Sequence, residues 1–433
     1  MAKIPIIKKH AGISDLQVAS KEIEALPDYV DSETARFKQL DETALNESPV
    51  IKLVDSIILQ AVNENASDIH VEPFEGGLRI RYRIDGMLRE VMTVPKKTGQ
   101  PLISRLKILS NMDIAEKRKP QDGRFHIQYK NNIVDLRVST LPNIFGEKAV
   151  IRLLDKNNNL LKVNQLGFDE KNYKAFKNIL KYSNGMLLVT GPTGCGKTTT
   201  LYAVLNEINS REKNIVTIED PVEYVLEGIN QTQVHSKAGL TFALGLRSIL
   251  RQDPDVIMVG EIRDKETAEI AVRSATTGHL VLSTLHTNDA AGAITRLIDM
   301  GIEPFLVASS VLGVVAQRLV RLICPKCKKS YELSNNAKQR MYMGIADDIP
   351  VVLSYGEGCQ YCGQTGYRGR TGIYEVMPVT KKIRELINKK SSADLIKAQA
   401  VRDGMITLKD DGINKALEGL TTIDEVMRVA YTD

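Results

Sequence analysis

Tryptophan is absent from this chain of 433 residues, and aromatic side chains of all kinds make up only 5% of it. Proteins that hold single-stranded nucleic acid stack its bases on aromatics interleaved with basic residues, and no such platform can be read here. Long apolar runs are missing too. The longest, Phe305 to Ala316, is interrupted by Ser309 and Ser310 and falls well short of the ~20 residues that span a bilayer. The first residues, MAKIPIIKKHAG, are partly basic but lack the apolar core of roughly 7–15 residues that defines a secretory signal. The expectation is a protein that stays in the cytosol. Cysteine is scarce, at five residues, and in a reducing compartment these read as metal ligands or free thiols rather than disulfides. No strong charge of one sign exists: 58 basic residues against 53 acidic ones leave +5 and a pI near 8.7. That mild bias suits an ordinary solvated surface and admits an acidic lipid surface as a partner.

What is present is the material of a globular protein, with 43% hydrophobic and 26% charged residues. The length calls for two or three compact units, each with its own core. Residues 1–43 read as a polar N-terminal extension with some helix. A first domain, 44–156, opens on a helix: Ser48 suits the N-cap, Pro49 the first helical position, and Val50, Ile51, Val54, Ile57, Ile58 and Ala61 recur at helical spacing. The period then changes to two. Leu78, Ile80, Tyr82 and Ile84 alternate with arginines, and Asp85-Gly86 supplies a hairpin turn. A helix around Thr98–Asn111 and strands near Arg124–Tyr129, Ile133–Thr140 and Lys148–Leu153 complete an α+β domain. The Asn-rich stretch within 157–165 reads as a linker.

From 166 to 433 the pattern is strand then helix, with nearly all-apolar strands at Met186–Thr190, Ile215–Ile218, Val256–Val259 and Leu280–Thr284. Such strands suit a mostly parallel sheet buried on both faces. Open α/β sheets gather ligands at the carboxyl ends of their strands, and each of these strands is followed by residues with chemistry. After the first comes Gly191-Pro192-Thr193-Gly194-Cys195-Gly196-Lys197-Thr198, with Thr199 next. This matches the phosphate-binding loop, whose glycines let backbone N–H groups curl around phosphates while Lys197 adds a point charge and the Thr198 hydroxyl can ligate Mg²⁺. ATP and Mg²⁺ are therefore the expected ligands. The ordinary alternative, a glycine-rich turn with a chance lysine, does not explain the flanking strand and helix. Cys195, in the variable part of the loop, reads as an incidental small residue.

Glu261 stands just past the strand Val256–Val259, where a carboxylate can hold the metal or polarise the attacking water. A second set, Glu219, Asp220 and Glu223, follows Ile215–Ile218 and can share that work. Each set alone would pass as a solvated loop. His279 and His286 bracket the strand Leu280–Thr284, and only His286 falls on the carboxyl end, as a candidate sensor of the γ-phosphate. Cys324-x2-Cys327 and Cys359-x2-Cys362 form two paired knuckles. Four thiolates in that spacing suit a structural, tetrahedral Zn²⁺ in a subdomain spanning about 318–372.

Taken together, these motifs resemble the secretion and pilus motor ATPases, over roughly residues 45–433. The resemblance rests on GPTGCGKTTTLYA, the acidic segment TIEDPVEY, the second strand RQDPDVIMVGEIRD, the histidine segment TGHLVLSTLHTNDA, the four cysteines, and ASDIHVEP, RYRIDG and QDGRF near the N-terminus. It implies a smaller PAS-like α+β domain followed by a RecA-like ATPase domain. The protomers would form a homo-hexameric ring at the inner face of the cell membrane, working on an inner-membrane platform protein to assemble a type IV pilus or a type II secretion pseudopilus. It also implies that arginines of the first domain reach the phosphates, and the matching positions are Arg137 and Arg152. Arg247, Arg251 and Arg263 match further arginines near the nucleotide or the subunit interface. The four cysteines resemble the assembly branch rather than the retraction branch. Longer members carry a further N-terminal domain where this sequence has only about 45 residues, which puts platform docking and cyclic-dinucleotide binding through that domain in doubt. The competing expectation is a hexameric nucleic-acid translocase, disfavoured by the missing aromatic platform. A scaffold without turnover is disfavoured by the full set of carboxylates.

Overall fold

The computed structural model describes residues 49–130, 132–155, 161–335, 337–346 and 349–430. Ser48, the N-terminal extension and residues 157–160 of the expected linker lie outside them. The chain divides into two compact units, Met1–Asn159 and Leu160–Asp433. The described end of the stretch read as a linker belongs to the second unit, where Val163 is fully buried in the core.

The first unit opens with helix α1 (Pro49–Asn63). The strands β1 (Asp68–Phe74), β2 (Gly77–Ile84) and β3 (Met87–Pro95) follow, then α2 (Gly99–Leu109), β4 (Gln121–Tyr129), β5 (Asn132–Asn143) and β6 (Gly146–Asp155). Its six strands form an antiparallel sheet in the order β3-β2-β1-β6-β5-β4. Both helices pack on one face. Leu53, Ile57 and Ile58 of α1 and Leu102 and Leu106 of α2 meet Ile69, Val71, Ile80, Tyr82, Leu136 and Ile151 of the sheet, and each large side chain buried this way contributes roughly 1.5–3 kcal/mol. The Tyr82 hydroxyl completes the seam by donating to the Ile57 carbonyl at 2.6 Å. β3 is the second arm of the hairpin expected at Asp85-Gly86, whereas β1 is additional to the strands anticipated. In β1 the apolar alternation is only Ile69 and Val71, set among Asp68, His70, Glu72 and Pro73.

The other face is polar, since successive side chains of a strand alternate. Strand register lines up Arg83, Asp68, Arg152, Arg137 and Arg124 directly abreast, across β2, β1, β6, β5 and β4. Asp68 lies between two of these guanidinium groups, 3.5 Å from Arg83 Nε and 3.3 Å from Arg152 Nε.

The second unit contains α3 (Glu170–Ile179), β7 (Gly185–Thr190), α4 (Lys197–Ile208), β8 (Ile215–Glu219), β9 (Asn230–Gln233), α5 (Phe242–Ile249), β10 (Val256–Val259), α6 (Lys265–Thr276), β11 (Leu280–Leu285), α7 (Ala290–Asp299), α8 (Pro304–Ser310) and β12 (Val311–Ile323). After these come β13 (Lys328–Glu332), α9 (Lys338–Met343), β14 (Val352–Gly356), β15 (Tyr367–Pro378), α10 (Lys381–Asn388), α11 (Ala393–Arg402), α12 (Leu408–Leu417) and α13 (Ile423–Ala430). Seven strands form one sheet in the order β15-β12-β7-β11-β10-β8-β9, all parallel except β15, which runs antiparallel to β12. Every residue of β7, β8, β10 and β11 is buried. The reason is a core on each side: Met186, Leu188, Ile257, Val259 and Val281 enter one, and Leu187, Val189, Val256, Met258 and Leu282 the other.

The apolar run Phe305–Ala316 is two elements. Pro304 opens α8 at a position where its missing N–H costs nothing, and the β-branched Val311, Val314 and Val315 carry the chain into β12. Arg251 lies beyond the helix that carries Arg247. α5 ends at Ile249, and Arg251 donates through Nη1 to the Arg247 carbonyl at 2.9 Å.

Candidate functional site

Strand order places β7 between β12 and β11, with β10 next in line. Because these strands are parallel, the loops leaving their carboxyl ends share one edge of the sheet. The glycine-rich loop leaves β7 there and ends where α4 begins at Lys197. Gly191 has φ +148°, and a Cβ on it would lie 2.5 Å from the Gln317 carbonyl oxygen and 2.6 Å from the Cys195 sulfur, so only glycine fits. Cys195 is buried; Pro192, Thr193, Gly194 and Thr198 are exposed, and Gly196 and Thr199 are half-buried. Lys197 Nζ donates to the Gly191 and Pro192 carbonyls at 2.7 and 3.1 Å. Burial pushes its ammonium below the ordinary value, and the nearby Cys195 and Glu261 work in the opposite direction. The Cys195 thiol is pushed up by burial, which makes it a poor nucleophile.

Glu261 follows β10 and is largely buried, with a guanidinium on one side and an imidazole on the other. Arg263 Nη2 lies 2.5 Å from one carboxylate oxygen and His286 Nε2 3.5 Å from the other. Backbone bonds hold the segment in place, from the Gly260 N–H to the Ile218 carbonyl at 2.8 Å and from the Ile262 N–H to the Thr284 carbonyl at 3.1 Å. His286 leaves β11 on the same edge. The Thr190 hydroxyl, at the end of β7, accepts from the Thr287 N–H at 2.9 Å, tying the histidine segment to the phosphate loop. Lys197, Glu261 and His286 are thus carried by three consecutive strands of one sheet. His279 is elsewhere, at the start of β11, with Nδ1 3.0 Å from the Ser274 carbonyl.

Glu219 is placed differently from Glu261. It is 3% exposed, accepts at Oε1 from the Thr217 hydroxyl at 2.6 Å and from Gln231 Nε2 at 3.1 Å, and accepts at Oε2 from the Tyr202 hydroxyl. Both oxygens are thereby engaged by neighbouring side chains. Arg247 pairs with Glu266 at 2.7 Å. Arg137 and Arg152 face each other in register on β5 and β6.

The four cysteines converge at the far ends of β12 and β15. Cys324 and Cys359 sulfurs are 3.9 Å apart, Cys327 and Cys362 3.9 Å, and Cys359 and Cys362 3.8 Å. All four lie within 4.8 Å of one another. A tetrahedron with metal–sulfur bonds of about 2.3 Å has edges of about 3.8 Å, so the cluster fits Zn²⁺. N–H groups of Cys359 and Gly366 donate to the Cys362 sulfur at 3.2 Å each, the outer-shell support that thiolate ligands need.

Gln317 and Arg318 of β12, buried against the phosphate loop, were not anticipated. The signal available in the sequence was two polar residues inside the apolar stretch VVAQRLV.

The profile of the family described as Type II/IV secretion system protein matches residues 43–428. The chain is 52% identical over 410 residues to the type II secretion system protein E of Pseudomonas aeruginosa, covering 95% of this chain and 80% of that one. It is 50% identical over 399 residues to the type IV pilus assembly ATPase PilB of Myxococcus xanthus, covering 91% and 70%. Among solved structures, the pilus retraction motor PilT with bound ADP aligns at TM-score 0.57 and 27% identity, covering 87% of this chain and 96% of that one. Among the described residues, no helix is long and apolar enough to cross a membrane.

Proposed function

Because the chain belongs to the type II/IV secretion system protein family and is an ATP-hydrolysing enzyme of that family, we propose that it works as the motor of a type IV pilus or type II secretion pseudopilus assembly machine, as a homo-hexamer at the inner face of the cell membrane against a platform protein. The observation that carries the reading is the convergence of Lys197, Glu261 and His286 from three consecutive parallel strands beside a phosphate-binding loop.

In this reading the N–H groups of residues 191–199 and the Lys197 ammonium hold the nucleotide phosphates. The Thr198 hydroxyl and Glu261 would hold Mg²⁺, which neutralises charge on the phosphates when bound. Glu261 also orients the attacking water, and Arg263 and His286 fix that carboxylate from either side. His286 stands where it can report the γ-phosphate. Glu219, with both oxygens engaged by Thr217, Gln231 and Tyr202, serves by holding β8 and its acidic loop beside the site. Arg137 and Arg152 act as fingers on the phosphates, with Asp68 steadying Arg152, so that turnover is linked to movement of one unit against another. Zn²⁺ on the four cysteines is structural: four thiolates fill its tetrahedron and leave no position for substrate.

The test is Glu261→Gln, which keeps the shape and removes the charge. It should bind ATP normally and hydrolyse it at least ~10²-fold more slowly. Near-parental hydrolysis would remove Glu261 from the chemistry and transfer the role to Glu219 or Glu223.

A further inference from the structure

Two polar residues interrupt the apolar run of β12 beside the phosphate loop, and the steps above do not use them. Gln317 is 1% exposed and Arg318 8%. β12 runs parallel to β7 with Ala316 paired to Thr190, so Gln317 stands level with Gly191, where the loop starts. Its side-chain Nε2 donates to the Cys195 carbonyl at 2.7 Å, and its Oε1 accepts from the Thr200 hydroxyl at 2.8 Å. A carbonyl can only accept, so the Cys195 contact requires the amide nitrogen on that side. A hydroxyl can donate, so Thr200 is matched to the amide oxygen on the other. The orientation of the amide is therefore set by its partners. Arg318 reinforces the same place, donating to the Gln317 carbonyl at 3.1 Å and to the Asn288 carbonyl, two residues past His286, at 2.9 Å.

A phosphate-binding loop works by presenting backbone N–H groups to the anion. In a trans peptide the carbonyl and the following N–H lie in one rigid plane and point in opposite directions. Drawing the Cys195 carbonyl toward β12 thus turns the Gly196 N–H away from β12, leaving it free of that strand to meet an anion held by the loop. The peptide would otherwise rotate easily, because Gly196 sits at φ +89° and glycine tolerates both signs of φ. We propose that Gln317 is a positioning residue for nucleotide phosphates, pinning the Cys195–Gly196 peptide in the anion-accepting orientation, with Thr200 setting its amide. The inference rests on the reading of residues 191–199 as the nucleotide site.

The experiment measures the affinity of the full chain for a fluorescent ADP, together with the melting temperature with and without ADP. Gln317→Met keeps the volume and removes both hydrogen bonds. Its dissociation constant should rise about 10-fold or more, the effect of leaving one buried carbonyl unpaired. The stabilisation gained on adding ADP should shrink accordingly, a change that a purely structural role would not produce. Thr200→Val should weaken binding less, and the double variant should bind no worse than Gln317→Met alone, since Thr200 reaches the loop through the amide. Parental affinity in Gln317→Met overturns the proposal, as do additive effects in the double variant. If Gln317→Met does not fold, Thr200→Val decides: unchanged affinity overturns the proposal and weakened affinity supports it. Lys197→Ala separates the two readings. If it loses ADP binding while Gln317→Met keeps it, only the role of Gln317 fails; if it keeps ADP binding, the site itself has been misplaced.

Discussion

Glu425 of α13 is a heavily engaged carboxylate close to the zinc cluster, and replacing it by glutamine should loosen the C-terminal helix from β12, the strand that leads into Cys324. The side chain is 1% exposed. Arg321 donates to it from its backbone N–H at 3.2 Å, from Nε at 3.0 Å and from Nη2 at 2.8 Å, and Arg428 donates from Nε at 2.9 Å and Nη2 at 2.6 Å. The Arg321 guanidinium also lies 4.0 Å from the Tyr367 ring centroid. Burial alone would push the Glu425 carboxyl up, but the hydrogen bonds from Arg428 and Arg321 overcome it and bring the group from 4.5 down to about 2. That difference corresponds to on the order of 3 kcal/mol of stability at neutral pH. Breaking such a pair costs ~3–5 kcal/mol when both cations are left buried. Here Arg428 is 45% exposed and recovers water, so the lower figure applies to Glu425→Gln. A fall in melting temperature of roughly 6–12 °C follows, read by calorimetry at pH 7. The pH dependence gives an independent check. A depressed carboxyl contributes its stability above the unfolded value of 4.5 and loses it as the pH falls toward 2. The gap between parent and variant should accordingly be full above pH 4.5 and close below it. Equal melting temperatures at pH 7, or a gap that persists at pH 2, would refute the reasoning.

The cysteine cluster should yield about one zinc per chain by metal analysis of protein purified without chelator, and Cys359→Ser or chelation should open the segment around β13 and β14, since zinc in small cysteine-rich units supplies ~10–16 kcal/mol; protein free of zinc would sink the assignment. Arg137→Ala and Arg152→Ala should each lower turnover by up to ~10³–10⁵-fold while ATP binding and the proposed hexamer, followed by light scattering, survive. A lysine in either place should rescue poorly because it lacks the planar fork, and parental turnover in both alanine variants would return these residues to the role of solvated strand arginines. Mixing Arg137→Ala with Lys197→Ala protein then separates action between chains, which restores activity in mixed rings, from action within one chain, which does not.

The phosphate loop was legible because everything that defines it is local: an apolar strand, glycines where φ must be positive, then a lysine opening a helix. The cysteine pairs were legible for a related reason, as metal geometry dictates short spacings. β1 was harder to see, since Asp68, His70 and Glu72 occupy the polar face that carries the arginine row, and Ile69 and Val71 alone make a faint alternation. The long antiparallel pair β12 and β15 escaped because its partners are brought together across the whole zinc subdomain. The placement of Glu261 beside His286, and of Glu219 against Tyr202, could not be read from two similar acidic stretches.

The sequence by itself determined the alternation of apolar strands with helices around the central sheet, the candidate residues for phosphate and zinc, and the need for cores on both faces of the central strands, because each follows from short-range spacing and side-chain chemistry. Only the tertiary structure decided which carboxylate stands beside His286, which peptide of the phosphate loop is clamped, and which arginines lie abreast. Those outcomes depend on strand order and register, and on the requirement that a buried polar group find partners that the chain supplies from far away.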